Sequence, residues 1–311
     1  MKGRYFYILF LIIVLFSCSK QEEPKKEEIN AMYYWRTVFE LSSEEKSFLK
    51  EHNVQRLYVR FFDVVWKERE REAEPNATIT FKKPFPSSLE IIPVVFITND
   101  CMKNIQDSCL ADKVFERISQ MILTHRIRNI KGIQIDCDWT KTSEKNYMNF
   151  MNRLHSLTSN YGITLSTTVR CYQLSWQVPK ADKGVLMMYN TGDIRSKDDK
   201  KPILDVDKLG GYLKYLKNYN LPLSVAYPIF KYDILFRNDK FVGIVNYEND
   251  ISFFDDDTIV RREPAMKDIL KTKKRLQEIR KNIHNEIILF DLSDSNIYRY
   301  EKQDYKTLFS H

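Results

Sequence analysis

The sequence predicts an α/β fold, a single (β/α)8 barrel, on three observations. From Ala31 onward, short apolar runs alternate with stretches of helical apolar spacing, and the alternation yields eight strands within roughly 260 residues, the usual size of such a barrel. The turn after the first strand reads Glu40-Leu41-Ser42 and has no glycine-rich phosphate loop. The whole chain carries only 8 glycines, which argues against the nucleotide cradles of a doubly wound open sheet.

Met32–Phe39 reads as the first strand, and Ser42-Ser43-Glu44-Glu45 as a capping box opening a helix through Leu49. Val54–Phe62 and Ile91–Ile97 are the second and third strands. The helix that follows places Val114, Phe115, Ile118, Met121 and Ile122 on one face. Gly132–Asp138 is the fourth strand. A helix from near Ser143 carries Tyr147, Phe150, Met151, Leu154 and Leu157 and stops by Gly162. Ile163–Arg170 and Gly184–Tyr189 are the fifth and sixth strands. A helix through Leu209, Tyr212, Leu213 and Leu216 leads to a seventh at Leu223–Ile229. Residues 231–262 are polar and irregular, a hairpin insertion between strands seven and eight. Pro264 then opens a long helix, and Glu286–Leu292 is the eighth strand.

The segment before the barrel has the parts of an export signal. Lys2 and Arg4 precede an apolar stretch, Tyr5 to Phe16, of signal-core length and too short for a comfortable membrane span. It ends at Leu15-Phe16-Ser17-Cys18, which resembles a bacterial lipobox. That likeness implies cleavage of residues 1–17 as a signal peptide and lipidation of Cys18. Residues 18–30 are charged and apolar-poor, and so read as the lipidated cysteine and its tether. The barrel then occupies residues 31–311. The expected location is the envelope of a Gram-negative bacterium, lipid-anchored, in the outer membrane.

The chain is 43% hydrophobic and 13% aromatic, which suits a packed core. Its formal charge of +7 falls to +5 without residues 1–17, which hold Lys2 and Arg4. Bases and acids interleave along the chain, so no nucleic-acid footprint stands out. Cys101 and Cys109 lie close together in a polar stretch of an exported chain, which makes them the expected disulfide pair. Cys137 lies inside an apolar strand and reads as a buried thiol. The five histidines are scattered and no metal-ligand spacing occurs, so neither a metal nor another cofactor is expected.

Chemistry in such a barrel sits on inward side chains at the C-terminal ends of the strands. Strand four reads Gly132-Ile-Gln-Ile-Asp-Cys-Asp-Trp139. Alternation puts Gln134, Asp136 and Asp138 on one face and Ile133, Ile135 and Cys137 on the other. Two carboxylates about 7 Å apart along one face repel, and the proton of one is held more tightly, as a general acid requires. The competing reading makes both acids structural, paired with arginines such as Arg60 or Arg170 on other strands.

Asp136-Cys137-Asp138-Trp139 resembles the fourth-strand signature of glycoside hydrolase family 18, the chitinases and related endoglycosidases: Asp-Gly-x-Asp-x-Asp-x-Glu. Leu186-Met187-Met188-Tyr189-Asn190 is similar to that family's sixth-strand Met-x-Tyr-Asp. Pro222 to Phe230 is similar to its seventh-strand Gly-x-Pro-x-Tyr run. The three fall in register along most of residues 31–292. The resemblance implies a TIM barrel that binds or hydrolyses an oligo- or polysaccharide, with Asp138 protonating the glycosidic oxygen, Asp136 orienting it and Tyr189 holding the substrate. It adds Gln134, Trp139, Asn190, Asp193, Tyr227 and Asp291 as substrate contacts.

The departures from the signature matter as much. Aligned on Gly132, Asp138 stands where the family has its catalytic Glu; aligned on Asp-x-Asp-Trp, Thr140 does. Either way the Glu is missing, and Asn190 replaces the sixth-strand Asp. An Asp is one methylene shorter, and a misplacement on the order of 1 Å can cost a hundredfold in rate. Asp138 could instead pair with Asp63, Asp193 or Asp291. The chain also resembles exported lipoproteins that share the Gln-Ile-Asp-x-Asp-Trp strand. Two functions therefore stand side by side: a glycan hydrolase, and an inactive barrel that binds glycan or protein within an envelope complex. Tyr34, Trp35, Trp66, Trp139, Tyr172, Trp176 and Tyr227 are the aromatic candidates for stacking on sugar faces.

Overall fold

The computed structural model describes residues 28–105, 109–245 and 254–311. The expected signal peptide, Cys18 and most of the tether lie outside the described residues, as does part of the 231–262 insertion. Eight parallel strands form the barrel: β1 (Ile29–Tyr34), β2 (Val54–Lys67), β3 (Glu90–Ile97), β4 (Ile133–Asp136), β5 (Leu165–Arg170), β6 (Lys183–Met187), β7 (Leu223–Pro228) and β8 (Glu286–Phe290). β1 hydrogen-bonds to both β2 and β8, so the sheet closes on itself and the fold is a TIM barrel.

The capping box forms as the sequence indicates. Ser42 Oγ accepts from Glu45 N, Glu45 Oε2 accepts from Ser42 N, and helix α1 (Ser43–Glu51) follows. α2 (Leu110–Thr124) buries Val114, Ile118 and Met121 against the barrel wall. α3 (Glu144–Asn160) buries Tyr147, Phe150, Met151 and Leu154, and Tyr147 reaches Thr167 of β5 at 2.6 Å. α3 ends at Gly162, whose φ of +64° is left-handed. Gly132 is needed for a different reason. A Cβ there would lie 2.7 Å from the Thr164 carbonyl oxygen, so a side chain would push the start of β4 off β5.

Several elements differ from the sequence expectation. The helix expected through Leu209–Leu216 is only Gly210–Leu213 followed by a 3-10 turn at Leu216–Asn218, because Gly210 and Gly211 weaken a helix start. β2 runs on past Phe62 and pairs antiparallel with Glu72–Asn76. The insertion is a three-stranded antiparallel sheet of Tyr232–Arg237, Lys240–Ile244 and Asp257–Arg262. No disulfide joins Cys101 and Cys109. Cys101 lies in a short helix, Asn99–Asn104, and is fully buried, whereas Cys109 is exposed at the start of α2.

Inward residues pack in layers. The middle of the barrel is filled by Ala31, Tyr33, Tyr58, Ile92, Val94, Val185, Met187, Ala226 and Ile288. At the N-terminal end, here called the base, a carboxylate is buried. Glu286 accepts from Arg56 (2.6 Å), Tyr58 (2.9 Å), Lys183 (3.0 Å) and Ser224 (2.9 Å), so three other strands, β2, β6 and β7, are tied to β8. The two cations hold its carboxyl below the usual range against the upward push of burial. Removing one member leaves buried charges unpaired, at a cost of about 3–5 kcal/mol. Glu286→Ala is therefore expected to lower the melting temperature by several degrees in a thermal scan. A shift within one degree of wild type would mean that the barrel does not depend on this cluster.

Candidate functional site

Alternation along β4 carries directly into the mouth, the C-terminal end of the barrel. The β4–β5 register pairs Gln134 with Ser166, and the next two rungs, Asp136 with Thr168 and Asp138 with Arg170, follow from it. Gln134 is fully buried. It accepts from the Tyr33 hydroxyl at 2.7 Å and donates to Ser166 Oγ at 3.4 Å, so it forms the floor beneath the site and is not a surface a ligand meets. Asp136, one layer up and 3% exposed, accepts from Thr168 Oγ1 at 2.7 Å. Asp138 is at the rim, with 48% of its side chain exposed.

Arg170 lies between the two acids. Its Nε donates to Asp138 Oδ1, and its Nη2 is 3.7 Å from Asp136 Oδ1. Its guanidinium lies 5.3 Å from the ring centre of Tyr189, and its buried Nη1 has no hydrogen-bond partner. Burial pushes the Asp136 carboxyl up, Arg170 pulls it down and Asp138 pushes it up again, leaving it at about 6.

A second arginine–carboxylate pair faces the same mouth. Strict alternation from Tyr58 would put Phe62 inward and Asp63 outward. A bulge between Arg60 and Phe62 reverses this, so Phe62 joins the outer core and Asp63 turns inward. Asp63 accepts both Nε (2.7 Å) and Nη2 of Arg60, whose guanidinium lies 5.4 Å from the ring centre of Trp35. Asp63 is close enough to Asp136 to help raise its carboxyl.

Aromatic rings line the rest. Trp35 packs against Phe290 at 5.4 Å and Phe96 at 6.5 Å. Tyr189 packs against Phe290 at 5.1 Å and Phe230 at 5.5 Å, and Phe230 against Tyr232 at 4.9 Å. Trp35, Phe96, Tyr232 and Phe290 are partly exposed. Of these rings, sequence reasoning singled out only Trp35 and Tyr189. Phe96 and Phe290 share the inward parity of Val94 and Ile288, and that was the available signal. Phe230 and Tyr232 lie beyond β7, where strand parity has no hold.

Other expected contacts fall elsewhere. Trp139 has the opposite parity to Asp138 and is 1% exposed in the outer core, stacked on Tyr147 at 5.5 Å; it cannot meet a ligand in the mouth. Tyr227 likewise points outward and is fully buried, sharing a 2.7 Å hydrogen bond with His284 Nε2. Asn190 is exposed with φ of +54°, and its side chain bonds Tyr232 at the rim. Asp193 is exposed and accepts from the Arg195 amide, closing its own turn. Asp291 accepts from Asn296 at 2.6 Å, and its charged neighbours are Arg36 and Glu45; burial raises it to about 6. Among the described residues no group of three or more His, Cys, Asp or Glu is arranged to hold a metal.

The fold matches solved structures closely enough to compare. The spore cortex-lytic enzyme SleL of Bacillus megaterium superposes with a TM-score of 0.59 at 11% identity, over 92% of this chain and 74% of that one. Its Bacillus cereus counterpart gives 0.58 at 14%, over 91% and 74%. The GH18 chitinase ChiB of Flavobacterium johnsoniae gives 0.55 at 13%, over 91% and 94%. The chain is thus a TIM barrel whose structural neighbours are chitinase-like. At these identities the likeness concerns the fold alone. No family model matches the sequence, and no curated protein does.

The raised Asp136 has a testable consequence. A carboxyl held at about 6 when folded and near 3.9 when unfolded gives the native state the extra proton between those values. Its stabilisation is therefore full below about pH 4 and is lost as pH rises through about 6, by at most ~3 kcal/mol. Asp291 acts in the same sense, and His284, pushed down to about 4 by burial, acts in the opposite one. Asp136→Asn mimics the protonated form and removes only the pH dependence that Asp136 itself brings. Relative to wild type, its melting temperature should climb between pH 4.5 and 6.5; curves that stay parallel would place Asp136 in the ordinary carboxyl range.

Proposed function

We propose that this chain is a lipid-anchored protein of a Gram-negative cell envelope, in the outer membrane, whose barrel mouth binds a glycan without cleaving it in the family-18 manner. The observation that carries this reading is the position of Arg170. The carboxylate aligned with the family's catalytic Glu is already bonded by a guanidinium, which neutralises it and turns one oxygen away from any leaving group. A general acid needs a proton to give and a clear path to the glycosidic oxygen. Asp138 is also one methylene short for that path.

The same geometry suits binding. Asp138 keeps its second oxygen for a ligand hydroxyl, and flat rings at Trp35, Phe290 and Tyr232 offer apolar surfaces on which a sugar face can stack. The solved neighbours include chitinases, which favours an N-acetylated oligosaccharide as the first ligand to try. A hydrolytic reading is favoured by one observation, the raised Asp136, which brings a carboxyl able to hold a proton near pH 6 into the mouth.

A glycan array and a reducing-end assay on wild type, Trp35→Ala and Asp138→Asn test both readings. Expected are binding without release of reducing ends and a loss of about tenfold in affinity, ~1.4 kcal/mol, for Trp35→Ala. Reducing ends that vanish in Asp138→Asn would establish the enzyme; no glycan signal at all would overturn both. Acyl labelling should mark the wild type and not Cys18→Ser.

A further inference from the structure

We infer that the base of the barrel is a docking surface for an anionic phospholipid membrane, which holds the mouth pointing away from the bilayer. This rests on the lipid-anchor reading above for its biological setting, and on the structure for its surface. All eight strands run from base to mouth, and β1 begins at Ile29, opposite Glu286. The segment that links the barrel to Cys18 therefore enters at the base. Residues 18–28 reach at most about 40 Å when fully extended, which keeps the base within that distance of the plane to which Cys18 would be joined.

The base carries the charge such a plane would attract. The loop before β3 presents Lys83, the loop before β4 presents Arg126 and Arg128, and the base end of α1 presents Lys50. The two hollows they line meet at Pro86. Lys82, higher on the flank, pairs with Glu40, and no ion pair occupies these four among the described residues. Of the carboxylates at this end, Glu51 is engaged by Lys302, Glu90 by Arg56 and Lys131, and Asp182 by His155, while exposed Glu28 beside the entry of the chain is the exception.

Apolar side chains stand in the same place. Leu123, in the last turn of α2, is 75% exposed, and Tyr161, just past α3, is 70% exposed. A leucine and a tyrosine set among cations are what an interfacial surface uses, one entering the acyl boundary and the other resting at the headgroups. Lipid phosphates supply the anions, and each Lys or Arg near such a surface strengthens binding about fivefold.

The test places the full acylated chain on vesicles of phosphatidylcholine alone or with phosphatidylglycerol, and follows hydrogen exchange. Expected is slower exchange in residues 81–90 and 123–131 on the phosphatidylglycerol vesicles only, with residues 134–140 of the mouth unchanged. The protection should vanish in high salt and in K83E/R126E/R128E, whose melting temperature stays that of wild type because all three side chains are exposed. Equal exchange on both vesicles, or protection of the mouth, overturns the proposal. So does the same protection from inorganic phosphate without vesicles, which would make the base a free-anion site. Failure of the anchor reading looks different: no acyl label and no flotation with phosphatidylcholine. Flotation of that same chain with phosphatidylglycerol vesicles then decides the base by itself.

Discussion

Glu286 sits where eight strands begin, buried among side chains of three of its neighbours. A carboxylate without partners there would be costly, and one partner would not be enough. Arg56 and Lys183 bring the opposite charge, while Tyr58 and Ser224 complete its hydrogen bonds. Because these donors come from β2, β6 and β7, the cluster is satisfied only when β8 has closed against its neighbours in the observed register. Closure then determines which inward side chains meet farther up the barrel.

Above the base lies an apolar layer, and above that a second polar layer with different requirements. The base is saturated, every group on Glu286 answered. The mouth is not: Asp138 is half exposed, Arg170 Nη1 has no partner and Asp136 holds its proton unusually tightly. The same β4–β5 register that aligns Gln134 with Ser166 brings Arg170 onto Asp138. A shift of that register by two residues would separate them without disturbing the alternation of either strand. What distinguishes this mouth chemically is thus a cross-strand pairing and not the composition of either strand.

The two ends of the barrel also differ in charge. The mouth combines acids, arginines and aromatic rings at close range. Around the paired Arg56 and Lys183, the base presents exposed Lys50, Lys83, Arg126 and Arg128, which have no ion pair among the described residues, with exposed Leu123 and Tyr161 beside them. Chain direction links the two, since a parallel barrel puts the entering segment and the αβ loops at one end and the βα loops at the other.

Much of this was legible in the residues. Strand and helix order, the Ser42–Glu45 capping box, the inward parity of Gln134, Asp136 and Asp138, and Arg170 as a candidate partner all follow from local periodicity and chemistry. The lipobox-like run that ends at Cys18 is likewise a matter of sequence, outside the described residues. The outward burial of Trp139 was implicit in the same alternation, yet a motif likeness placed it with the ligand. Tertiary structure decided the rest: the bulge that turns Asp63 inward, the rings of Phe230 and Tyr232 beyond β7, the separation of Cys101 from Cys109, and the bond from Arg170 to Asp138. Periodicity acts over a few residues and fixes which face a side chain takes. Partners lie 32 or more residues apart for Asp138 and Arg170, and 230 for Arg56 and Glu286, so only closure of the sheet in one register could choose them.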